Sequence, residues 1–133
     1  MKYFAQSIFA ILLAVTASFA NETDVNDNAL ILKGTDINLD DFLWINRPIV
    51  VLADSPGDPR FVEQMRLLRE QLPDLKDRDV VVITDTEPSQ KTDLRQKLRP
   101  SGFMLVLIGK DGGIKLRKPS PWNVREISRI IDK

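Results

Sequence analysis

Three runs of consecutive apolar residues divide the chain: Ile49-Val50-Val51-Leu52-Ala53, Val80-Val81-Val82-Ile83 and Phe103-Met104-Leu105-Val106-Leu107-Ile108. Each is too short for a helix that packs alone and is rich in β-branched residues, so each predicts a strand buried on both faces. Between the first two runs the pattern changes period. Phe61, Met65, Leu68 and Leu72 form one helical stripe with Val62 beside it, while Arg60, Glu63, Arg66 and Glu70 lie off it. Asp58 as N-cap and Pro59 at the first position start this helix, and Pro73 is expected to stop it near residue 72. Strand, helix and parallel strand make a βαβ unit.

The flanking pattern adds the remaining elements. Leu39, Phe42 and Leu43 at helical spacing predict a short helix over residues 37–44, capped by Asp36 or Asn38, with the Trp44 ring buried against the sheet. Ser89 is expected to cap a helix over residues 90–98, with Leu94 and Leu98 inward and Pro100-Ser101-Gly102 ending it. Gly109-Lys110-Asp111-Gly112-Gly113 places Asp-Gly between strand candidates, the pattern of a type I′ hairpin. Ile114-Lys115-Leu116-Arg117 alternates as an edge strand, with Lys115 and Arg117 on one side. Ser120 and Pro121 open a last helix whose stripe is Val124, Ile127, Ile130 and Ile131. The resulting prediction is an α/β, thioredoxin-like fold: a four-stranded mixed sheet (βαβ-α-ββα) with helices on both faces. A flavodoxin-like fold would need a helix where the Asp111-Gly112 turn stands.

The N-terminus carries a different signal. Met1-Lys2, a mostly apolar stretch over residues 4–15 and Ser18-Phe19-Ala20 read as a signal peptide over residues 1–20. Residues 21–36 are expected to be a flexible leader and residues 37–133 the thioredoxin-like domain. The expected location is therefore periplasmic or extracellular. An exported chain with neither cysteine nor histidine holds together by packing alone. It also lacks thiol chemistry, the commonest general base and the commonest zinc ligand. No cofactor is expected.

Several stretches resemble one family: Trp44-Ile45-Asn46-Arg47-Pro48, the Pro/Asp-rich turn with Gln64 on the helix after it, Arg78-Asp79 before a Val/Ile strand, and Leu107-Ile108-Gly109-Lys110-Asp111-Gly112-Gly113 with Lys115 and Arg117. Together they resemble a family of short exported bacterial proteins of unknown function with a predicted thioredoxin-like fold. Related domains occur in animal extracellular-matrix proteins with sushi repeats. The resemblance implies a cysteine-free secreted module and carries no catalytic residues to transfer.

Two constellations carry candidate chemistry. Asp54 and Asp58 flank the turn after the first strand, and Asp85 and Glu87 follow the second. Parallel neighbouring strands end on one side, so these four carboxylates are a candidate calcium site or an acid/base pair for a small hydrolase. The second is basic. Residues 21–90 hold seven Lys/Arg against fifteen Asp/Glu, residues 91–133 eleven against four. Lys110, Lys115, Arg117, Lys118, Arg125 and Arg129 are expected to form one positive surface with Trp122 at its rim. Its expected partners are an acidic envelope or extracellular protein, an anionic glycan or a lipid headgroup, and not nucleic acid. The function this supports is a non-catalytic binding module. The alternatives are a degenerate redox or peroxide-handling enzyme acting without a thiol, and the hydrolase.

Overall fold

A computed structural model of the protein describes residues 30–133, so the signal-peptide expectation lies outside the described residues. Five strands, β1 (Ile31–Lys33), β2 (Arg47–Leu52), β3 (Val80–Asp85), β4 (Met104–Ile108) and β5 (Ile114–Lys118), form one sheet in the order β1-β3-β2-β4-β5. β1, β3 and β2 run parallel, while β4 and β5 each pair antiparallel with the preceding neighbour in that order. The helices are α1 (Pro59–Arg69), α2 (Leu72–Asp77), α3 (Asp93–Leu98) and α4 (Val124–Ile131). This is the expected thioredoxin-like arrangement with one strand more.

The alternation of side chains along β2 builds two cores. Ile49, Val51 and Ala53 join Met65 and Leu68 of α1, Leu72 and Leu75 of α2, and Val124 and Ile127 of α4 on one face. Val50 and Leu52 join Leu94 and Leu98 of α3 on the other, with Leu39 and Phe42 of a 3₁₀ turn packed against them. Each fully buried Leu or Ile contributes about 1.5–3 kcal/mol, which explains why these runs dictate the fold. Gln64, wholly buried on α1, donates from Nε2 to the Trp122 carbonyl (2.8 Å) and accepts the Trp122 N–H at Oε1 (2.9 Å). That pair fastens the entry of α4 to α1.

Several expectations are corrected. The segment read as leader supplies β1, paired Ile31 to Val82 through Lys33 to Thr84. The helix after the central turn ends at Arg69, and Gln71 leaves helical geometry (φ −130°, ψ 31°). Pro73 then sits in the first turn of α2, where its missing N–H is harmless, so it begins a helix rather than ending one. Thr92, not Ser89, caps α3, accepting the Arg95 N–H at 3.2 Å. Asn123, not Ser120, caps α4, accepting the Glu126 N–H at 2.9 Å. Residues 39–42 make only a 3₁₀ turn capped by Asn38. In the hairpin, Gly112 alone has positive φ (84°), so the turn is not type I′. Its N–H donates to the Gly109 carbonyl (3.0 Å), a three-residue loop closed by a left-handed glycine.

Candidate functional site

The turn after β2 leads into the N-terminus of α1, the place in such folds where a reactive side chain meets the helix dipole. Here it is occupied from within. Asp58 accepts the Arg60 N–H (2.8 Å), and the Arg60 guanidinium lies 3.3 Å from the same carboxylate and over the Phe103 ring at 5.7 Å. The hydrogen bonds from Arg60 hold the Asp58 carboxyl below its usual range. Asp54 and Ser55 stand exposed on the turn.

The four candidate carboxylates do not gather. Leu52 and Asp85 are register partners, so β2 and β3 end together as expected. Asp85, however, turns inward. It accepts from Thr92 Oγ1 (2.7 Å), Arg95 Nε (2.8 Å) and the Glu87 N–H (3.2 Å), while Arg95 also donates to the carbonyls of Ala53 and Asp85. Burial pushes the Asp85 carboxyl up, but the hydrogen bonds from Thr92 and Arg95 outweigh it and the net shift is downward. The network clamps the ends of β2 and β3 to α3. Glu87 is exposed, and among the described residues no three acidic, histidine or cysteine side chains are placed to hold a metal ion.

The six basic residues are also dispersed. Ile108 pairs with Ile114 but Leu107 pairs with Leu116, so Lys115 is an extra residue bulged out of the ladder. That bulge puts Lys115 and Arg117 on opposite faces, against expectation. Arg117 reaches under the sheet to the carbonyls of Leu98 and Arg99, satisfying the C-terminus of α3. Lys118 covers the Trp122 ring at 4.9 Å. Arg125 and Arg129 line a groove of mixed charge with Glu70 and Asp74, and Arg129 pairs with Glu126. Only Lys110 and Lys115 remain together, beside the hairpin.

Beside those two lysines is a feature that sequence reasoning placed in the core. Trp44 is 73% exposed and Ile45 63% exposed. Trp44 has φ 64°, a left-handed conformation that is a genuine outlier for a bulky residue. The turn is nevertheless rigidly held. The Trp44 N–H donates to the Lys110 carbonyl (2.8 Å), and those of Ile45 and Asn46 to the Phe42 carbonyl (3.0 and 2.9 Å). Asn46 Nδ2 donates to the Asp79 carbonyl (3.2 Å), and Lys110 Nζ pairs with the Asp79 carboxylate at 2.7 Å. A cleft of ≈ 460 Å³ opens next to the ring, with Leu107, Ile130 and Ile131 among its lining and Arg47, Lys110, Lys115 and Lys133 around them. One sequence signal pointed here: Trp44 and Ile45 fall off the stripe of Leu39, Phe42 and Leu43.

Residues 38–133 match a family model described as a domain of unknown function, DUF4174. The chain belongs to the DUF4174 family. No curated protein matches the sequence. Among solved structures, the chain is similar to the reduced 2-Cys peroxiredoxin of Plasmodium vivax (14% identity, TM-score 0.60, covering 72% of this chain and 81% of that one). It is also similar to thioredoxin peroxidase I of Plasmodium yoelii (15%, TM-score 0.56, covering 72% and 76%). A third likeness is to chloroplastic thioredoxin z (24%, TM-score 0.57, covering 77% and 91%). These likenesses establish the thioredoxin-like fold for this DUF4174 chain, and the fold alone.

Proposed function

We propose that the protein is an exported, non-catalytic binding module that seats an anionic ligand at the Trp44 cleft. The observation that carries this reading is the exposed, left-handed Trp44 held rigid above a cleft with cationic side chains at its mouth. Strained, exposed aromatics on preorganised turns are the residues that anchor partners, because little ordering remains to be done on binding. Two further observations support it. The chain has no cysteine, and the N-terminus of α1 is filled by Asp58 with Arg60. The basic start, apolar run and Ser18-Phe19-Ala20 of residues 1–20 support export.

The test is capture from a cell-envelope extract by the protein and by its Trp44→Ala variant, quantified by mass spectrometry. The reading expects a set of proteins, glycans or lipids retained by the parent and released by the variant at equal fold stability. Equal retention by both, or peroxide or ester turnover that Asp58→Ala abolishes, would overturn it.

A further inference from the structure

The cleft beside Trp44 has a chemistry that distinguishes among anionic ligands. Its walls combine an indole with the aliphatic side chains of Leu107, Ile130 and Ile131, which asks for a large apolar group rather than a sugar ring bristling with hydroxyls. Its cations are not a bare patch. Lys110 is paired with Asp79 and Lys115 with Asp111 (3.1 Å), while Arg47 directs Nη1 to the Arg78 carbonyl (2.6 Å). Interspersed Asp79 and Asp111 would repel a continuous anionic membrane surface, yet each lysine still offers donors to a single incoming carboxylate. Arg47, Lys110, Lys115 and Lys133 outnumber the carboxylates around this cleft, Asp79, Asp111 and, near Arg47, Asp132, so the balance favours a discrete acid.

We infer that the Trp44 cleft binds an acidic peptide segment of a partner protein, one large apolar side chain entering between Trp44 and Ile130 while flanking carboxylates meet Lys110, Lys115 and Lys133. This rests on the binding-module reading and names its ligand. The apolar anchor supplies affinity, and the lysines fix register and exclude basic segments. Ile45, exposed next to Trp44, extends the apolar contact beyond the cleft.

A phage-displayed library of random dodecapeptides, selected on the protein and counter-selected on Trp44→Ala, tests it. The expected result is enrichment of peptides with a large apolar residue beside carboxylates. Synthetic copies are then titrated in a Trp122→Phe background, where Trp44 is the only fluorophore of its kind. Lys115→Glu and Lys133→Glu should each weaken binding by at least about tenfold. Affinity should also fall as the Debye length shortens from about 10 Å at 0.1 M salt to about 3 Å at 1 M. No enrichment, enrichment of neutral or basic peptides, or indifference to the charge reversals would overturn the inference. So would Trp44-dependent retention on phosphatidylglycerol vesicles or heparin in place of peptides. If the envelope capture still depends on Trp44 in those cases, the peptide is refuted and the binding module survives. If neither shows dependence on Trp44, both fall.

Discussion

Replacing Asp85 with Asn removes one charge from the best-enclosed ion pair of the domain while keeping the shape of the side chain. The side chains of Asp85 and Arg95 retain only 4% and 10% of their surface. Asn can still accept from Arg95 Nε and the Glu87 N–H at its oxygen, and the Thr92 hydroxyl can rotate to accept from its amide. What disappears is the charge opposite Arg95, leaving that guanidinium with neutral acceptors only, the new amide oxygen and the carbonyls of residues 53 and 85. Breaking a buried pair from one side costs about 3–5 kcal/mol, and the two surviving carbonyl contacts put this case near 3 kcal/mol. The sign with pH follows from the lowered pKa of Asp85. A depressed carboxyl stabilises fully above its unfolded value, near 3.9, and the contribution vanishes as pH falls through the folded value. Urea unfolding of parent and variant should therefore differ by about 3 kcal/mol at about pH 7, and the gap should narrow as pH falls below the unfolded value. A gap below about 1 kcal/mol at neutral pH, or one undiminished in acid, would refute the clamp.

Two further substitutions probe the rest of the frame. Gln64→Leu strands the N–H and carbonyl of Trp122 and should cost about 2 kcal/mol in urea unfolding, with faster hydrogen exchange at the Trp122 amide; an unchanged exchange rate would count against the pairing. Trp44→Gly relieves a φ of 64° and exposes no core, so thermal melts should show stability unchanged or higher by up to about 1 kcal/mol, whereas a marked loss would mean that the ring is packed.

The central strands β2, β3 and β4 were legible because a strand covered on both faces writes itself as an uninterrupted apolar run. The stripe of α1 was legible for the same energetic reason. β1 was not, since three residues give no period and their pairing with β3 is made across some fifty residues of chain. Caps were misassigned at Ser89 and Ser120 because several capping residues stand close together, and only the packing of Leu94 and Val124 selects Thr92 and Asn123. Asp85 read as a carboxylate free for a metal or for acid/base chemistry because its partner lies ten positions on, in α3. The bulge at Lys115 was hidden, since Ile114 to Arg117 fits regular alternation and the slipped ladder equally well. Trp44 was placed inside because large aromatics usually are, and its left-handed backbone leaves no trace in residue order.

The same bulge bears on how this domain behaves in a crowd of its own copies. β5 is an outer strand, and a flat outer strand offers its unpaired N–H and carbonyl groups as a template on which another molecule can add. One surplus residue at Lys115 interrupts that row and twists the strand, and exposed charge at Lys115 and Arg117 raises the desolvation required of any incoming strand. With no disulfide to hold the fold closed, this flank is one of the two open edges of the sheet, and a single inserted position guards it.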